Sequence, residues 1–378
     1  SKTKNENAFV SVELERLKFL KQHSSFEEKD QLFFNKLTDL KNKFKSHEAS
    51  TLVDFEIATV HLEKGNLFNS ENKEYQFEKA KALEICEIAI EIFPKSLGAK
   101  KCKNLKTNIL QPRLSITSEK HIPSNLHSKF LVSYKNVSQL NTSIYKISES
   151  EIRKFNKIYN DSAKIDFIKN LKKVDSFLNA LKNEKDYQQH STEIVVSPLQ
   201  NGSYLVVCSL EKDLTKNSTF ATATIQVTDI SLVQKNSSEQ HIYQVINRNT
   251  GAPFIGAKIS VKNYNVGRYN KSISRNFTTN EFGEFSFKTN KYHRNVIISV
   301  KTKTEKASFG DYYLNENRKP RIERNENDEI TIKPFIFTDR SIYRPGQTVH
   351  FKAIFLKKQG DKSEVFSNEF VAFILENP

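Results

Sequence analysis

The hydrophobic rhythm of this 378-residue sequence changes at Pro112. Before it, apolar residues recur every third or fourth position, the spacing of an amphipathic helix. Beyond it they alternate, the spacing of half-buried strands, among many β-branched and aromatic residues. Segregated rhythms of this kind predict an α+β multidomain chain rather than alternating βαβ units. A helical N-terminal domain is expected over residues 1–112, with tandem antiparallel β-sandwiches after it.

The helical part carries its own punctuation. Ser25-Phe26-Glu27-Glu28 reads as a capping box opening a helix with Phe26, Phe33, Leu37, Leu40 and Phe44 on one face. A second helix is predicted from about Ser50 to Lys64, with Val53, Ile57 and Val60 in line and Gly65 as its stop. In KALEICEIAIEIFPKS the stripe is Ala82, Ile85, Cys86, Ala89 and Ile92, ended by Pro94. Ser96 can cap a further helix bearing Ala99, Cys102, Leu105 and Ile109. This last pair resembles a tetratricopeptide repeat over about one and a half repeats, with no second clean copy.

In the β part, a first sandwich is expected over 113–230, built from LSITSEK, FLVSYKNV, SIYKIS, STEIVVSPL, GSYLVVCSL and TFATATIQVTDI. A helical insertion at about 149–186 interrupts it, with Ile152, Phe155, Ile165, Ile168, Leu171 and Val174 at helical spacing. Its Lys-rich composition reads as a solvated lid or spacer, with a partner-docking element as the alternative. A second sandwich is expected over 231–330, including FTTNEFGEFSFKT as a hairpin with its turn at Asn280 to Gly283 and Phe285 and Phe287 inward. Residues 331–378 hold two or three more strands, the last being EFVAFILENP. Too few to close a sandwich, they read as the start of a third, truncated one.

Composition narrows the function. The net charge of +15 comes from lysines scattered among acidic residues, and the basic clusters KNKFK and KKCKNLK lack stacking aromatics. A solvated surface is expected, not a nucleic-acid partner. Cys86, Cys102 and Cys208 show no CxxC or metal-ligand spacing and read as buried thiols. The nine histidines form no HExxH or Cys/His cluster, and His121, His127 and His350 read as surface residues. No cofactor and no catalysis are expected. No run is long and apolar enough to span a bilayer, and the first residues show no leader, so any targeting signal is expected outside this sequence.

The stretch Thr338-Asp339-Arg340-Ser341-Ile342-Tyr343-Arg344-Pro345-Gly346-Gln347-Thr348-Val349-His350-Phe351-Lys352 has two alternating runs around a turn. Pro345 fixes φ and Gly346 permits φ > 0, which predicts a tight bend, with Asp339 placed to pair with Arg344. This run resembles the TDRxxYRPG(x)TVxFK signature of the α2-macroglobulin family in its bacterial form, and the resemblance extends over about 113–378. It implies macroglobulin-like sandwiches of the immunoglobulin-like type, and a structural signature turn at Asp339, Arg340, Tyr343, Arg344, Pro345 and Gly346. It further implies the scaffold of a broad-spectrum protease trap, in the periplasm or on the outer cell surface. Proteases are the implied partners, through a full-length parent, with other cell-envelope proteins a further class. The family's thioester motif does not map here: the cysteine contexts EICEI, KKCKN and VVCSL all depart from it. The alternative is a cell-surface or adhesion scaffold of tandem sandwiches with a helical protein-binding cap.

Overall fold

A computed structural model describes residues 5–235, 240–264, 271–315, 330–340, 342–344, 346–359, 362–367 and 370–374. Five helices come first: α1 (Glu6–His23), α2 (Lys29–Lys43), α3 (Ser50–Asn66), α4 (Glu78–Ile92) and α5 (Leu97–Leu110). Val10, Leu14 and Leu17 of α1 pack with Phe33, Leu37 and Leu40 of α2 and Val53, Ile57 and Val60 of α3. Ala82, Cys86 and Ala89 of α4 meet Cys102, Leu105 and Ile109 of α5. Ser96 caps α5 as its type predicts, accepting the Ala99 N–H at 3.1 Å.

Three helical details depart from the periodicity. The Ser25 capping box does not form, because residues 24–28 are spent reversing the chain, and α2 starts at Lys29 with Phe26 exposed. Ile92 is 60% exposed in the last turn of α4, where the chain turns away at Pro94. Gly65 lies inside α3 and is no stop. A Cβ there would come 2.7 Å from Lys79 Cγ, so this glycine lets α3 and α4 approach closely. A tetratricopeptide arrangement is not confirmed.

The next unit has strands β1 (Arg113–Thr117), β2 (His121–Ile122), β3 (Ser128–Lys135) and β4 (Gln139–Lys146), then helices α6 (Glu149–Phe155) and α7 (Asp161–Lys169). Strands β5 (Lys172–Ala180), β6 (His190–Val196), β7 (Gly202–Ser209) and β8 (Phe220–Val227) complete it. A sheet ordered β1-β3-β6 faces one ordered β2-β8-β7-β4-β5. Between them lie Phe130, Val132, Ile144, Val206 and Cys208. Burial pushes the Cys208 thiol up to about 11, and all three cysteines are buried and free.

The insertion differs from its predicted form. Its last third is not helix but β5, which pairs with β4 from Gln139↔Ala180 to Lys146↔Lys172. An open strand edge offers a full row of backbone partners, which outweighs a weak helical period in a Lys-rich segment. Nor are the helices a solvated lid. Phe155 and Ile168 pack with Tyr145, Ile147, Leu205 and Val207 on the outer face of the larger sheet. This explains the unbroken apolar run of β7: the strand is central and buried on both faces.

A second pair of sheets follows, from β9 (Ile230–Lys235), β10 (His241–Asn247), β11 (Lys258–Asn263), β12 (Ser274–Thr278), β13 (Glu284–Phe287), β14 (His293–Lys301) and β15 (Lys306–Leu314). Their orders are β13-β10-β9 and β12-β11-β14-β15, closing on Tyr243, Val261, Phe285, Phe287 and Ile298. The predicted hairpin at 277–289 is a crossover, since β12 pairs with β11 and β13 with β10 in the other sheet. Its turn is as read: Asn280 Oδ1 accepts the Phe282 and Glu284 N–H groups, and Gly283 has φ +73°. Last come β16 (Thr331–Thr338), β17 (Phe351–Gln359) and β18 (Lys362–Val365) in one antiparallel sheet. Pro334 sits on its edge strand, where a missing donor is tolerated. Residues 370–374 form no strand, although Phe373 packs on Phe351 at 4.7 Å between ring centroids. The rest of the predicted final strand, 369 and 375–378, lies outside the described residues.

The helical layer is tied to the first sandwich by buried polar groups. Gln188, 3% exposed, donates to the carbonyls of Gly65 and Gln76, and Asp186 holds His190 at 2.9 Å. Lys135 donates to the Asn108 carbonyl at 3.0 Å. Burial, with Lys79 and Arg113 adding repulsion, lowers its pKa to about 8. The unfolded chain therefore binds more protons between that value and the ordinary lysine pKa, so stability rises with pH through this window. Urea unfolding at pH 7, 8.5 and 10 is expected to show a gain on the order of 2 kcal/mol across the series. In Lys135→Met the gain should be absent; an unchanged slope would show that Lys135 is not the group responsible.

Candidate functional site

The connection between β16 and β17 carries the signature residues. The predicted tight bend is present, closed by the Gln347 N–H on the Arg344 carbonyl, but the strands do not run up to it: pairing ends at Thr338↔Phe351, and Val349 lies outside the strand. The cause is Asp339. Its N–H donates to the His350 carbonyl at 2.9 Å, but His350 N–H is taken by the Asp339 carboxylate at 3.0 Å. A side chain thus replaces the backbone at the last rung and opens the ladder.

That carboxylate also accepts the Tyr343 hydroxyl at 2.6 Å, while Tyr343 Oη accepts the Arg340 N–H at 3.0 Å. The Tyr343 hydrogen bond, then the His350 amide, hold the Asp339 pKa below its ordinary value. The predicted pairing of Asp339 with Arg344 is replaced by these contacts and by Arg340 Nε at 3.6 Å. Gln347 closes the far side, donating its N–H to the Arg344 carbonyl at 3.1 Å and accepting the Arg344 N–H on its side-chain oxygen at 3.3 Å. Gly346 has φ +76°, the left-handed conformation its type was read to permit. Pro345 lies outside the described residues.

Arg340 reaches beyond the loop. Its Nη1 is 3.3 Å from Glu193 of β6, whose other oxygen takes Lys129 of β3 at 2.9 Å. The Lys129 hydrogen bond, with Arg340 and Arg344 adding attraction, holds the Glu193 pKa low. A cavity of about 280 Å³ lies at this contact, between Pro123, His127 and Phe130 on one side and Ile342 and Arg344 on the other. Nothing in the sequence pointed to Glu193 or Lys129; across-strand neighbours become visible only once the β3–β6 register is known.

A second polar junction lies between the two complete sandwiches. His121 was read as a surface residue, yet its ring stacks on Phe309 at 4.8 Å and its Nε2 donates to the Ser308 carbonyl at 3.2 Å. Its placement in a two-residue strand beside β8 carries it there. Arg248 donates to the His121 carbonyl, and Glu305 accepts from Thr228. His127 and His350 are exposed. Among the described residues no group of three or more His, Cys, Asp or Glu is placed to hold a metal ion. No described helix is long and apolar enough to cross a membrane.

These contacts form a clip in geometry: Asp339, Arg340 and Tyr343 are engaged with one another, with the loop backbone and with Glu193. No family model matches this chain, and no curated protein matches it. Among solved structures it is similar to native α2-macroglobulin from Escherichia coli spanning domains NIE-MG1, at 13% identity and a TM-score of 0.37, over 53% of this chain and 97% of that one. The corresponding MG0-NIE-MG1 structure matches at 13% identity and TM-score 0.38, over 53% of this chain and 64% of that one. The native E. coli α2-macroglobulin reconstruction gives 14% identity and TM-score 0.32, over 65% of this chain and 16% of that one.

Proposed function

We propose that this chain is a non-catalytic scaffold segment of an α2-macroglobulin-like protease trap working outside the cytoplasm. Its units are the helical domain (1–112), two macroglobulin-like sandwiches (113–230 and 231–330) and the sheet of 331–378. The observation that carries this reading is the clip. The residues matching the family signature, Asp339, Arg340 and Tyr343, spend their polar atoms on loop geometry and on an ion pair with the first sandwich. Groups engaged in this way orient modules against one another. Proteases are the partners this role requires, met through the whole protein.

Incubating the full-length protein with trypsin tests the reading. Cleavage should compact the molecule in solution scattering, and the enzyme should lose activity on large protein substrates while keeping it on small peptides. Cleavage without compaction, leaving trypsin fully active on large substrates, would sink the proposal. A second reading, a cell-surface scaffold with a helical binding cap, is favoured by the outward apolar side chains of α1, where Phe9, Val12 and Phe19 are exposed. That reading predicts the failed outcome, together with retained binding of a cell-envelope protein by the helical unit.

A further inference from the structure

The outward face of the four-stranded sheet of the second sandwich carries two ordered rows of side chains. Strand register sets Thr278 opposite Lys258, Lys258 opposite Lys301, and Lys301 opposite Lys306. Two residues along, Asn276, Ser260, Ser299 and Ser308 line up in the same way. With strands about 4.8 Å apart, three lysines stand within roughly 10 Å of one another across three adjacent strands. Like charges directly opposite weaken a sheet, so the row works against stability unless an anion meets it. Residues 240–315 hold twelve Lys and Arg against four Asp and Glu, so the sandwich supplies little compensation of its own.

One end of both rows already shows how such an anion is held. Glu149, at the start of α6 in the first sandwich, lies 3.1 Å from Lys306 Nζ and accepts the Ser308 hydroxyl at 2.6 Å. Lysine and hydroxyl, one from each row, grip one carboxylate. Lys258 reaches only the Thr278 hydroxyl, at 3.2 Å, and among the described residues neither Lys258 nor Lys301 has an ion pair. Above them lies an open groove of about 610 Å³, lined by both rows.

We propose that this face binds an acidic segment of a partner protein, laid across the sheet with carboxylates on Lys258 and Lys301, as Glu149 sits on Lys306. The second row favours a polypeptide over a phosphate polymer or a lipid headgroup. Ser260 and Asn276 can accept as well as donate, and Ser299, whose proton goes to Ser308 at 2.8 Å, can still accept; this suits peptide N–H and C=O groups, whereas phosphate oxygens only accept. No aromatic ring stands in either row to stack a base or a sugar.

Fluorescence anisotropy of labelled octaglutamate with the full chain, at low ionic strength, tests the proposal. Binding should weaken with added salt and fall about tenfold or more in the double variant Lys258→Gln/Lys301→Gln. The control Lys95→Gln/Lys103→Gln, on the helical unit, removes equal charge and should change affinity by less than about twofold. The first variant should also melt about 1–3 °C higher, because like-charge repulsion is relieved, so lost binding cannot be ascribed to unfolding. Absence of peptide binding, or equal losses in both variants, overturns the proposal. Binding of polyphosphate or phosphatidylglycerol vesicles without binding of the peptide overturns the choice of partner.

Discussion

Gly98→Ala is expected to destabilise the helical unit by about 2–4 kcal/mol, the overpacking cost exceeding the roughly 1 kcal/mol that alanine gains over glycine in a helix. Gly98 sits in the first turn of α5, against the start of α3. A Cβ there would lie 2.2 Å from the Thr51 carbonyl carbon, 2.3 Å from its oxygen and 2.4 Å from the Leu52 nitrogen. These are backbone atoms, so no side chain can rotate out of the way, and the helices must separate. Separation would also strain the Thr51–Ser96 hydroxyl contact at 2.9 Å and the cap that Ser96 supplies. Thermal melting followed by far-UV circular dichroism reads the effect. Unchanged or raised stability would mean that α5 does not cross α3 at this distance.

Ile168→Ala should cost about 3 kcal/mol, the range for emptying a fully buried aliphatic site. The residue is 0% exposed and packs with Phe155, Leu205 and Val207 beneath α6 and α7. A solvated spacer, the reading composition favoured, predicts a loss under about 0.5 kcal/mol at the same position. Asp166→Ala, exposed on the same helix, serves as the comparison and should stay within that smaller figure. Equal small losses in both variants would return the insertion to the role of a lid.

The two substitutions separate kinds of information. Ile168 was legible as an apolar residue at helical spacing; what it covers was not, because a period names a face and not its partner. Gly98 carried no local signal, since a glycine needed for close approach looks the same in sequence as one that is merely tolerated. In the candidate site, the stretch 338–352 stood out as a turn between strands, and the left-handed conformation of Gly346 agrees with its type. The exchange of Arg344 for Tyr343 and His350 as partners of Asp339 was invisible, because several donors compete within one loop and geometry selects among them.

Local sequence by itself determined where helices give way to strands, where α5 is capped, and which alternating residues turn inward, since these follow from periodicity, backbone freedom and short-range hydrogen bonding. Only the tertiary structure decided that 172–180 joins a sheet edge, that 277–289 passes between sheets, and that Arg340 meets Glu193 or Lys258 faces Lys301. Those outcomes depend on which open edge or opposite charge lies within reach after the chain has packed. Residues far apart in sequence cannot express that until their spacing in three dimensions is set.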